Sequence, residues 1–89
     1  MPHLSPFGEQ LRFCRKQRGL SQLDLALAAG TTSRYVSFVE TGRSRPRRGV
    51  VLRLAEAMDL PMRESNALLR AAGFPPAFPE THLDEASMA

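Results

Sequence analysis

The sequence is poor in the residues that staple or metallate small proteins: it holds one cysteine, Cys14, and two histidines, His3 and His82, set far apart. A lone thiol excludes an internal disulfide framework. No His/Cys grouping has metal-ligand spacing, so neither a metal nor any other cofactor is expected. No apolar run exceeds the five residues 25–29, far below the roughly 18 that suggest a membrane span, and no basic-then-apolar leader opens the chain. The expectation is a soluble cytoplasmic protein. Alternating β-branched runs bounded by turn residues are missing, as are repeats and low-complexity segments, which points to an all-α fold. Cys14 sits on an apolar stripe and suits small core packing, the glycines form no phosphate-binding loop, and no nucleophile–base pair stands out, so the chain is read as no enzyme.

What is present is enough for one packed domain. The 89 residues are 43% hydrophobic and 24% charged, close to the globular average. The net charge of +3 hides an uneven distribution, with −1 over residues 1–11, +8 over 12–53 and −4 over 54–89. The middle stretch carries Arg12, Arg15, Lys16, Arg18, Arg34, Arg43, Arg45, Arg47, Arg48 and Arg53 against only Asp24 and Glu40. That is the footprint of a protein with a polyanionic partner, nucleic acid first; a solvated basic face is the plainer alternative.

Helix punctuation recurs along the chain. Phe7, Leu11 and Cys14 share a stripe over residues 7–18, and Gly19 supplies the stop. Ser21, with Asp24 three residues on, opens a second helix over 22–29 that Gly30 closes. Thr32 caps a third over 33–40, ended by Thr41 and Gly42. Residues 43–48 form a polar, arginine-rich loop, after which Val50, Val51, Leu54, Ala57 and Met58 mark a fourth helix. Pro61 suits the first turn of a fifth, with Leu68, Leu69 and Ala72 as its apolar face and Gly73 as its end. Residues 1–6 read as an arm, 7–74 as the domain, and 75–89 as a proline-rich, acidic tail, loosely held from Ala77 onward.

Two short helices joined by Ala29-Gly30-Thr31 are the sequence form of a helix-turn-helix, whose second helix lies in a DNA major groove. Ala26 must be small where the second helix crosses it, Gly30 relieves the turn, and Leu25, Ala29, Val36 and Val39 bury the seam. Placing the third helix at 100° per residue gathers Thr32, Val36 and Val39 as the buried side and turns Arg34, Ser37, Phe38 and Thr41 outward, with Ser33 joining them in the first turn. Arg34 suits bidentate pairing with guanine O6 and N7, or else a phosphate or solvent. Phe38 either meets a thymine methyl or folds sideways over Tyr35 or the second helix. Tyr35 flanks the stripe and is placed to donate to a phosphate.

Through Gly19-Leu20-Ser21-Gln22, Leu25-Ala26, Ala29-Gly30 and Phe38-Val39-Glu40-Thr41-Gly42-Arg43, residues 7–73 resemble the Cro/CI repressor, or Xre, family. More narrowly, the run from Tyr35 to Pro46 and the later Ala71-Ala72-Gly73-Phe74 are similar to the MmyB-type branch of bacterial regulators. The resemblance implies a five-helix, lambda-repressor-like domain reading double-stranded DNA near the bacterial nucleoid. The outward side of the third helix offers Ser33, Arg34, Ser37 and Phe38 as base contacts; the resemblance supports that role at Ser33 and Arg34, while the family often has a polar or basic residue where Phe38 stands. Phosphate contacts would come from Gln22, Thr32, Tyr35, Thr41, Arg43, Arg45, Arg47 and Arg48. Arg15 would pair internally with Glu40, and Arg12 could serve either part. A homodimer on DNA would use the fifth helix and the segment after it, with Leu68, Leu69 and Phe74 as candidates; the competing reading, favoured for the two leucines, is packing in the chain's own core. In that branch a PAS-like domain comes next, so an effector ligand would bind beyond these residues, and the tail resembles the linker leading there. The leading function is therefore sequence-specific regulation of transcription. The alternative is a protein-interaction module of antitoxin or coactivator type, while RNA binding lacks stacking platforms beyond Tyr35 and Phe38.

Overall fold

The computed structural model describes residues 6–77, and the readings made for residues 1–5 and 78–89 lie outside them. Five helices occur in order: α1 (Pro6–Gln17), α2 (Gln22–Ala29), α3 (Ser33–Glu40), α4 (Arg48–Ala57) and α5 (Met62–Ala71). The second and third fall where the sequence puts them, because each is closed at both ends by local chemistry. Ser21 Oγ accepts from the Asp24 N–H at 2.9 Å while the Asp24 carboxylate accepts from the Ser21 N–H at 3.1 Å, a complete capping box. Gly30 then takes the left-handed region at φ 75°, its N–H and that of Thr31 returning to the last carbonyls of α2. Thr32 Oγ1 accepts from the Tyr35 N–H at 3.1 Å and starts α3 at once.

Those two Ser21 bonds hold the Asp24 carboxyl below the usual carboxylate range. A depressed folded value contributes stability above the unfolded pKa of about 3.9 and loses it as pH falls through the folded value. Thermal melts from pH 7 into acid should therefore show a shallower acid decline for Asp24→Asn than for the native chain. Parallel acid limbs would show that the box contributes nothing.

Four boundaries depart from the sequence reading. The first helix already includes Pro6 as its opening residue, where a missing N–H costs nothing. Arg48 belongs to the first turn of α4 and not to the loop, since the Val50 and Val51 N–H groups both return to the Arg47 carbonyl. Pro61 precedes α5 in an extended conformation and does not form its first turn. Ala77 is not loose: its N–H donates at 3.0 Å to Oδ1 of Asn66, an amide fully buried on α5. One side-chain placement also changes, and one alternative is decided. Thr32 is exposed and acts as a cap, not as part of the buried stripe. Leu68 and Leu69 are fully enclosed in the chain's own core, which removes both from any contact between copies.

The core runs through all five helices. Leu25, Val36 and Val39 join α2 to α3, Leu11 and Cys14 bring in α1, and Val51, Leu54 and Leu69 close the far side. The α1 helix lies against α3 and α5, and α4 against α2 and α5, so α3 is held from behind by α1 and α2.

Candidate nucleic-acid interface

The inner side of α3 is immobilised by packing and by one polar network. Val36 and Val39 have no more than 1% of their surface exposed, and Glu40 only 2%. Arg15 of α1 grips the Glu40 carboxylate with a two-pronged fork, Nε to Oε2 at 2.7 Å and Nη2 to Oε1 at 3.2 Å, and spends Nη1 on the Leu20 carbonyl at 2.9 Å. Gln22, the first residue of α2, adds Nε2 to Glu40 Oε1 at 3.0 Å. One carboxylate at the end of α3 thus ties three helices together. The main chain of Glu40 is held as well: Gly8 on α1 packs so closely that a Cβ there would overlap the Glu40 carbonyl.

The outer side carries the candidate reading residues. Arg34 is exposed, and Ser33, Ser37 and Phe38 are half-buried around it. Phe38 is half-buried and is paired with arginines. The Arg34 guanidinium lies over its ring at 5.3 Å and that of Arg43 at 5.0 Å. Both distances fall within the roughly 6 Å of cation–π attraction. Sequence reasoning missed this cluster. The Arg34–Phe38 spacing of four on a helix was its available signal.

The phosphate candidates divide by what they already hold. Arg45, Arg47 and Arg48 are exposed, and Arg43 is exposed but stacked. Arg47 makes no side-chain cap for α4 and no acid sits in its first turn, so the free N–H groups there lie beside arginines. Positive charge at a helix N-terminus is unfavourable alone and becomes favourable when an anion arrives. Tyr35 packs its ring on the core edge, and Thr32 spends its oxygen on the cap. Thr41 donates its hydroxyl to the Ser37 carbonyl at 3.0 Å, and Gln22 gives one amide N–H to Glu40, so in the free protein both are partly committed.

Burial pushes the Cys14 thiol up, with the Glu64 charge adding and Arg18 opposing, which disfavours the nucleophilic thiolate. Among the described residues no three His, Cys, Asp or Glu side chains gather as a metal site, and no helix is long and apolar enough to cross a membrane.

Comparison with known proteins identifies the family and the fold. A helix-turn-helix family model matches residues 11–65. The chain is 39% identical over 78 residues to the HTH-type transcriptional regulator RghRB of Bacillus subtilis, covering 86% of this chain and 54% of that one. It is 35% identical over 72 residues to the HTH-type transcriptional repressor RghR of the same organism, covering 80% of this chain and 51% of the relative. It therefore spans about half the length of these curated relatives. The restriction-modification controller protein C.AhdI of Aeromonas hydrophila superposes with a TM-score of 0.65 at 39% identity, over 68% of this chain and 88% of that one. All three are named as regulators or controllers, none as an enzyme.

Proposed function

The chain belongs to the helix-turn-helix family of the Cro/CI-like kind, and from that premise we propose that it binds double-stranded DNA sequence-specifically as part of a bacterial transcription regulator. In this reading α3 enters the major groove with Ser33, Arg34, Ser37 and Phe38 toward the base edges. Gln22, Thr32, Tyr35, Thr41, Arg43, Arg45, Arg47 and Arg48 face the flanking phosphates. The observation that carries it is the two-sidedness of α3: one side is locked by Val36, Val39 and the Arg15–Glu40–Gln22 network, while the other presents Arg34 beside an arginine-rich loop.

So small a reading face spans few base pairs, so the proposal includes two copies on related half-sites roughly one helical turn apart. With Leu68 and Leu69 enclosed, Phe74 remains as the half-buried candidate at that contact. Occupancy of a promoter-proximal operator is the proposed mode of action, and the likeness to a transcriptional repressor, RghR, favours repression. The finer placement in the MmyB-type branch, with residues 75–89 leading toward a ligand-binding domain, rests on the segments that resemble it and not on these relatives.

Selection of bound duplexes from a random DNA pool at physiological salt tests the reading. Enrichment of a defined half-site is expected, with log affinity falling against log salt at a slope near −5 if about six phosphates are neutralised. Arg34→Ala should cost about 1–3 kcal/mol at one base pair and relax preference there. A folded chain that enriches nothing at any salt would turn the reading to the protein-interaction alternative.

A further inference from the structure

Phe38 has an unusual set of attachments. On α3 it lies one turn beyond Arg34, whose guanidinium covers its ring at 5.3 Å. Its carbonyl accepts from the Arg43 N–H at 2.8 Å and the Ser44 N–H at 3.2 Å, so the backbone leaving α3 is folded back onto this residue. Gly42, at φ 80°, allows that reversal. The Arg43 guanidinium then returns over the same ring at 5.0 Å. One aromatic residue thus holds the side chains of two arginines, and the main chain of the second.

We infer that Phe38, although on the side of α3 turned toward the base edges in that reading, is a positioning residue, which reads no base itself but presets the Arg34 guanidinium for guanine O6 and N7 and the Arg43 guanidinium for the adjacent phosphate. The inference rests on the DNA-binding reading above and assigns the basis of its specificity. A guanidinium packed over a ring is attracted by the ring's π-face and still has N–H donors to offer a further partner. Those donors are the part which pairs with a guanine or with a phosphate oxygen. An arginine held in this way forms its contact from one conformation instead of many. Because both guanidinium groups lie over one ring, the base contact and the backbone contact depend on the same side chain. A thymine methyl approaching the ring would compete with this packing, which is why direct reading by Phe38 is not what the arrangement favours.

Two measurements test it. In the free 89-residue chain, NMR should find the side-chain protons of Arg34 and Arg43 shifted upfield by the ring, and the shift should vanish in Phe38→Leu and persist in Phe38→Tyr. In binding, the probe is the duplex enriched by the native chain, with its guanines replaced one at a time by 7-deazaguanine. Arg34→Ala identifies the guanine whose N7 it contacts. Phe38→Leu should lower discrimination at that same guanine by about two- to fivefold, the scale of an exposed cation–π pair, while Phe38→Tyr retains it. Unshifted arginine protons overturn the inference without any variant being needed. So does a Phe38→Leu chain that keeps full guanine discrimination, or that loses preference at a thymine instead. A native chain that enriches no duplex defeats the DNA-binding reading and this inference together. Selectivity that depends on Arg34 and ignores Phe38 defeats the inference alone.

Discussion

Glu40→Ala should cost about 3–5 kcal/mol of folding stability, the range for removing one partner of a buried ion pair. The Arg15 side chain is only 9% exposed and that of Glu40 3%, so the orphaned guanidinium would keep the Leu20 carbonyl but lose both of its bonds to a charge. In a domain of this size each kcal/mol moves the melting temperature by roughly 4–8 °C, so thermal unfolding should fall by more than about 12 °C. Arg15→Ala should cost a similar amount, and the pair of substitutions together much less than the sum, because the second removes the charge that the first left stranded. Additive losses, or a Glu40→Ala cost under about 1 kcal/mol, would show the pair to behave as a surface contact. The consequence for function comes before unfolding. Glu40 is the last residue of α3, and its carboxylate is where α1 and the start of α2 hold that helix, so the outer face tilts when the network goes.

Gly8→Ala should destabilise by about 3 kcal/mol or more, against the direction that helix propensity sets. On propensity alone, alanine in place of glycine within a helix gains roughly 0.5–1 kcal/mol. Here the new Cβ would overlap the Glu40 carbonyl, and backbone cannot rotate aside as a long side chain would, which puts the cost at the upper end of overpacking. Gly49, in the first turn of α4, is the matched control, since a Cβ there meets nothing within 4 Å. Gly49→Ala should therefore gain up to about 1 kcal/mol. Denaturant unfolding of the two variants reads both signs at once. A stabilising Gly8→Ala would mean that α1 and α3 stand further apart than this close packing requires. Both Gly8 and Arg15 converge on Glu40, one at its main chain and one at its side chain, so the two substitutions test the same junction by independent routes.

What could be read from sequence was chemistry local to each element. Ser21, Asp24 and Gly30 frame α2, and Thr32 caps α3, within a few residues of the groups they bond, so spacing alone located both helices. The ends of α4 and α5 were less legible. Asp59 terminates α4 in the left-handed region at φ 54° without a glycine to mark it, and Pro61 adopts an extended conformation that either assignment of the turn would permit. The buried Asn66 could not be told from a solvated helix residue, because its partner Ala77 lies eleven positions along, beyond two prolines, Pro75 and Pro76.

By itself the sequence determined an all-α chain, a helix-turn-helix between residues 22 and 40, and a positive middle between flanks that are net negative. Periodicity, caps and charge are properties of neighbours along the chain, and they need no knowledge of how the helices cross. The tertiary structure decided which of the arginines outside the expected Arg15–Glu40 pair are available. Arg43 is drawn over Phe38, while Arg45, Arg47 and Arg48 stand in solvent. It also decided why Gly8 must be glycine, because the atom that forbids a side chain there belongs to a residue 32 positions away. Such contacts depend on distances between elements, and those are set only when the shared core of Leu11, Leu25, Val36 and Leu54 brings the helices together.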